Sequence, residues 1–241
     1  MSRSVLFLLL CAAQAISAQK ILTRNEIRRS AEKAIAYAIG KKAKLTAQDI
    51  STLLELDHRF ALNLDRQDLL RLQAQKSPIR RTPLWRFADE NYVASESDVK
   101  GMKGNDRITA SALYCDKYVL PWDFYKELEA MAASNDFDAT RAFLAIGLLK
   151  KRGCQFDSAR VEPVSLRLRA TLRRIAADEK APETLQVEAI LFLTLGGHRS
   201  DIRPEWVRKI ISLQQADGRF GRIPYTTLLT ARTLLEYSRQ E

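Results

Sequence analysis

Three ten-residue stretches decide the fold: Thr140-Arg141-Ala142-Phe143-Leu144-Ala145-Ile146-Gly147-Leu148-Leu149, Thr184-Leu185-Gln186-Val187-Glu188-Ala189-Ile190-Leu191-Phe192-Leu193 and Thr226-Thr227-Leu228-Leu229-Thr230-Ala231-Arg232-Thr233-Leu234-Leu235. All three fit Thr-x4-Ala-x2-(Leu/Phe)-Leu. Ahead of them lie Pro121, Pro163 and Pro204, spaced by 42 and 41 residues, and each proline opens an apolar run at helical spacing. A two-helix unit that recurs every 42 or so residues predicts an all-α protein of helical-hairpin repeats. One hairpin cannot bury its apolar face alone, so neighbouring units must stack.

Working outward, Pro121 is expected at the first helical position, where its missing N–H costs nothing. Leu128 and Met131 follow on that helix; Leu166, Leu172 and Ile175 follow Pro163; Val207, Ile210 and Ile211 follow Pro204. Asp138, Pro182 and Pro224 each stand two residues before a signature Thr and are expected to start the second helix of each unit. Nearer the N-terminus, Thr23 with Glu26, and Thr46 with Asp49, have the spacing of capping boxes, which predicts helices from Thr23 and Thr46. A third helix is expected from Asp65 to the residues before Pro78, and another after Asn105 or Asp106. Residues 77–105 carry Pro78, Pro83, Gly101 and Gly104 and read as one long loop, with Trp85, Phe87 and Tyr92 embedded in it. The count is about ten helices.

Composition sets the frame. With 46% hydrophobic and 28% charged residues among 241, and few glycines (9) or prolines (7), the chain has the material for a packed helical domain. Residues 1–18 are set apart: Arg3, the apolar run Val5 to Ala13, then Ala15, Ser17 and Ala18 form the layout of a secretory leader. That run is shorter than the ~20 residues a membrane-spanning helix needs. Export is therefore expected, to a secreted or periplasmic location, with cleavage near Ala18 and no transmembrane helix thereafter. Residues 19–241 would form one repeat domain.

Loss of the leader removes only Arg3 among charged residues, which lowers the formal charge of +10 by one. A basic exported protein is suited to an anionic glycan or to another protein as partner. The charge is dispersed along helices, as in Arg167-Leu168-Arg169 with Arg173-Arg174, and with the leader this argues against nucleic acid. Two cysteines remain outside the leader, Cys115 and Cys154. They stand at equivalent ends of helices in neighbouring units, so an oxidising compartment predicts a disulfide between them.

At Gln214-Gln215-Ala216-Asp217-Gly218-Arg219-Phe220-Gly221, followed by Thr226 to Tyr237, the chain resembles the helical hairpin of the prenyltransferase and terpenoid-cyclase superfamily. There a Gln-x-x-Asp-Gly-x-(Phe/Trp)-Gly turn joins an outer to an inner helix. The resemblance covers about 25 residues; the first unit keeps Phe137 but has Asn135-Asp136 for Asp-Gly, and the second lacks the turn. It implies a partial α/α toroid, with a short curved solenoid as the open alternative. In a toroid the loops before the inner helices ring one mouth of a central cavity, and Asp138, Arg141, Arg222 and Tyr225 would gather there. Tyr114 and Asp116 lie at another such helix end, and Trp85 adds an aromatic from the long loop. These are candidate binding residues.

The superfamily's chemistry does not carry over. There is no Asp-x-Asp-Asp acid motif, no Asp-Asp-x-x-Asp cluster for a magnesium diphosphate, and no matching Asp, Cys and His zinc set. The two histidines, His58 and His198, stand apart from any metal or nucleophile pattern, and Asp136 and Asp138 flank a helix start, where acidic residues have a structural use. No catalytic residue, metal site or cofactor is assigned. The sequence reads as a non-catalytic binding or interaction module. The alternative is a toroid enzyme of lyase type acting on an anionic polysaccharide, for which a Tyr or His base and a charge-neutralising Arg would be required; the poverty in His counts against it.

Overall fold

Local hydrogen bonds set the first two helices of the computed structural model, which describes residues 22–41, 44–76, 82–87 and 89–239. In α1 (Arg24–Gly40) the Thr23 hydroxyl accepts from the Glu26 N–H while the Glu26 carboxylate accepts from the Thr23 N–H. Thr46 and Asp49 repeat the device at α2 (Ala47–Phe60), so both expected capping boxes are present. The expected leader, residues 1–18, lies outside the described residues.

After α3 (Arg66–Lys76) the chain is more regular than a long loop. A 3-10 segment spans Pro83–Phe87, α4 spans Glu96–Gly101, and α5 (Gly104–Leu113) starts inside the stretch read as loop. Neither Asn105 nor Asp106 caps α5; Lys103 is its N-cap, without a side-chain bond. Asn105 instead donates to Asp138 across to the next unit (2.6 Å).

The stretch read as three repeat units folds as α6 (Phe124–Ala133), α7 (Asp136–Lys151), α8 (Ser158–Ala177), α9 (Glu183–Leu195), α10 (Pro204–Ser212) and α11 (Pro224–Ser238). Among the described residues there are thus eleven α-helices and no strand. Signature positions are core positions: Ala145, Leu149, Ala189, Leu193, Ala231 and Leu234 have no exposed surface. Helix starts are less regular than the sequence spacing. Pro121 precedes α6 instead of opening it, and Pro163 lies in the second turn of α8, whose start is set by the Asp157 cap. Only Pro204 and Pro224 sit at a helix start, with Pro182 as N-cap of α9. Asp138 is the third residue of α7, which begins at Asp136 because Asn135 accepts from the Asp138 N–H (3.0 Å). Leu166 is exposed on α8, not part of its buried stripe.

Packing follows a simple order. α5 lies against α7, α7 against α8 and α9, α9 against α11, and α11 against both α1 and α2. The N-terminal helices therefore dock on the C-terminal one. The Asp217-Gly218 turn takes part: Gly218 has φ +95° and approaches α1 so closely that a Cβ would stand 2.6 Å from the Lys33 carbonyl oxygen. Gln214 accepts from the Ser30 hydroxyl (2.8 Å) and donates to the Ser30 and Gly218 carbonyls (2.9 Å each). The turn clamps the last hairpin to the first helix.

Cys115 and Cys154, just beyond the ends of α5 and α7, lie at disulfide distance, with sulfurs 2.00 Å and Cα atoms 5.8 Å apart. Asn105 and Asp138 join the starts of the same two helices, so α5 and α7 run in one direction. Among the described residues no helix is long and apolar enough to cross a membrane.

Candidate functional site

Five helices, α2, α5, α7, α9 and α11, together with α3 and the Pro83–Phe87 segment, wall a cavity of about 1160 Å³. Its surface is largely apolar, with Trp85 and Phe87 from the 3-10 segment, Leu144 from α7, Leu191 and Phe192 from α9 and Leu228 from α11. A second cavity of about 410 Å³ lies toward the C-terminal ends of these helices and shares Glu55, Phe87, Leu144, Phe192, Leu195 and Arg232 with the first.

One polar cluster stands at the wall of the larger cavity, built from the first two turns of three neighbouring helices. Glu188 of α9 is buried, and its Oε1 accepts from Arg141 of α7 (2.9 Å) and from the Tyr225 hydroxyl of α11 (3.2 Å). The Thr140 hydroxyl lies 3.1 Å from Oε2 of the same carboxylate. Arg141 is held over the faces of Phe137 and Phe192, with its guanidinium carbon 5.1 and 5.9 Å from the ring centres. Burial pushes the Tyr225 phenol above its usual value, and the charge of Glu188 pushes it further. An ion pair with a hydroxyl beside it thus faces the cavity already satisfied.

A second set of charges marks the seam between α2 and α11, where the two cavities meet. Arg232 donates to Glu55 (2.5 Å) and Arg59 to Glu236 (2.9 Å). Burial raises the Glu55 carboxyl above the usual carboxylate range, opposed by Arg232 and Arg59. Arg86, on the 3-10 segment, forks onto Asp116 with two bonds of 2.6 Å, donates to the Leu113 carbonyl (2.7 Å) and lies over the Tyr114 ring. That fork is a planar guanidinium–carboxylate match, which fixes the segment against the end of α5.

Of the residues singled out by sequence, Arg141, Tyr225 and Trp85 line the larger cavity. Asp138 does not line it; its carboxylate accepts from Asn105, Ser134 and Asn135 and ties the starts of α5 and α7 together. Arg222 is exposed in the turn before α11 and is likewise not part of the lining. Tyr114 accepts from the Ala94 N–H and donates to the Tyr92 carbonyl, and Asp116 holds Arg86, so both fasten the 77–105 stretch to α5. Sequence reasoning missed Glu188, Glu55 and Arg232. A signal for Glu188 existed: it is the one carboxylate within the apolar run Val187 to Leu195.

Among the described residues, no group of His, Cys, Asp and Glu is arranged to hold a metal ion. No protein-family model, curated protein or solved structure matches the chain.

Proposed function

We propose that the protein is an exported, non-catalytic binding module whose helical hairpins curve as a partial α/α toroid around the larger cavity, and that this cavity is its ligand site. The carrying observation is the cavity's size and lining. At about 1160 Å³ it exceeds the roughly 300–1,000 Å³ of ordinary small-molecule pockets, and Trp85, Phe87, Leu144, Leu191, Phe192 and Leu228 give it an apolar side. That apolar side lies beside a polar one with Gln48, Ser51, Thr52 and Asn105. It suits a ligand with an extended apolar body. Export is supported by the leader and by the Cys115–Cys154 pair, since disulfides persist in oxidising compartments.

Titration with a neutral solvatochromic dye such as Nile red tests the site. One saturable site per chain is expected, with a change in tryptophan emission through Trp85, and Leu228→Trp, which adds bulk to the cavity wall, should weaken binding, with its melting temperature measured beside it to report any overpacking. Failure of the dye to bind, or binding untouched by Leu228→Trp, counts against the cavity as ligand site.

One observation favours the lyase alternative: Arg141 lies 3.5 Å from the Tyr225 hydroxyl, the pairing such an enzyme would need. The shift of the Tyr225 phenol runs the wrong way for a general base, which must lose its proton near the working pH. Incubation with alginate, pectate and glycosaminoglycans should give no rise in ultraviolet absorbance from new double bonds; a rise that Tyr225→Phe abolishes would establish the enzyme instead.

A further inference from the structure

The smaller cavity gathers more cations than carboxylates. Five basic side chains line it, besides His58, and four have partners: Arg59 on Glu236, Arg232 on Glu55, Arg86 on Asp116 and Lys151 on Glu90. The fifth is Arg152, the C-cap residue of α7. Its side chain forms no hydrogen bond or ion pair among the described residues, and its Nε is buried without a hydrogen-bond partner. The cavity's three lining carboxylates, Glu55, Glu90 and Glu236, are all engaged by the other cations. Glu90 and Asp116 lie near enough to feel the charge of Arg152 but neither is in contact with it, so its planar fork is open to a further carboxylate, which would meet it with two parallel bonds.

This chamber adjoins the apolar one, and Leu144, Phe192 and Leu195 line both. From this juxtaposition we infer that the ligand is an anionic amphiphile, a long-chain carboxylate, with its head group on Arg152 in the smaller chamber and its chain along the apolar wall of the larger. The inference rests on the larger cavity being the ligand site. It adds the chemical class of ligand and the residue that selects it.

Binding to the intact, oxidised protein would be compared for oleate, for uncharged oleyl alcohol of the same chain length, and for acetate, each by displacement of Nile red. Oleate should bind about tenfold or more tighter than the alcohol, the difference a charge-assisted hydrogen bond supplies. Acetate should not displace the dye. Arg152→Gln should bring oleate to the affinity of the alcohol and leave the alcohol unchanged, while Arg152→Lys should keep part of the preference. Since Arg152→Gln could disturb the end of α7, the alcohol affinity of each variant reports whether the cavity is intact, and Arg152→Lys decides the matter if Arg152→Gln does not fold. Equal affinity of oleate and alcohol in the parent protein, or a preference that survives loss of Arg152, overturns the head-group assignment and leaves the cavity reading standing. Binding of neither compound overturns both.

Discussion

At the scale of single residues, two positions carry consequences out of proportion to their size. Gly218 and Gly153 both have positive φ, but only Gly218 meets another backbone. Alanine at either site should cost roughly 1–2 kcal/mol for the left-handed conformation. At Gly218 a further 1–3 kcal/mol, roughly, is expected from the contact with Lys33, as for other overpacked sites. Urea denaturation of Gly218→Ala beside Gly153→Ala separates the two effects, and equal losses would mean that the turn does not press on α1. Asp116 gives a pH signature. The hydrogen bonds from Arg86 hold its carboxyl below the usual range, so its stabilisation is present above pH 3.8, the ordinary value, and is lost as pH falls through the lowered one. Asp116→Asn should cost roughly 2–4 kcal/mol at neutral pH, less than a fully buried pair because Asp116 is 25% exposed. The gap between parent and variant should close only below about pH 3.8, and a gap that is unchanged at pH 2 would remove Asp116 from the account.

Secondary-structure elements show what the sequence could and could not disclose. The capping boxes at Thr23 and Thr46 were legible because both partners lie within four residues, and the signature Ala and Leu positions were legible because core burial imposes helical spacing. Helix starts in the repeats were not legible from proline. Pro163 lies within α8 on its exposed side, where Asp157 caps six residues earlier and the lost N–H to Ala159 is tolerated. The polar cluster was hidden for a related reason: Glu188, Arg141 and Tyr225 are 37 to 84 residues apart, and only packing of α7, α9 and α11 brings them together. Position relative to the helix ends did reveal Cys115 and Cys154. Reduction of that pair should lower stability by roughly 3–4 kcal/mol on the loop-entropy model, and a melting temperature equal with and without reductant would argue against the bond.

For the whole molecule, cohesion depends on the contact of the first helix with the last. Ala31, Ala34 and Ala38 of α1 have no exposed surface, and the small side chains let α11 approach closely. The ion pairs of α2 with α11 add a second tie. Deletion of residues 22–41 should therefore do more than trim an end: it would bare the face of α11 that packs against α1. The expected result is loss of a cooperative thermal transition, followed by circular dichroism, together with strong binding of a hydrophobic dye. A truncated chain that melts sharply at the parent temperature would show that α2 and α9 hold α11 without α1.

The bond between Ser30 and Gln214 spans 184 residues, which has a consequence for synthesis. A ribosome adds roughly 5–20 residues per second, so α1 emerges some 10–40 seconds, roughly, before the turn it docks on exists. During that interval its apolar stripe has no native cover, and closure against α1 waits for residues 214–238 to emerge. For a chain read as exported, that order is favourable: the molecule stays open while it is threaded through a translocation channel, and locks only when its C-terminal hairpin arrives.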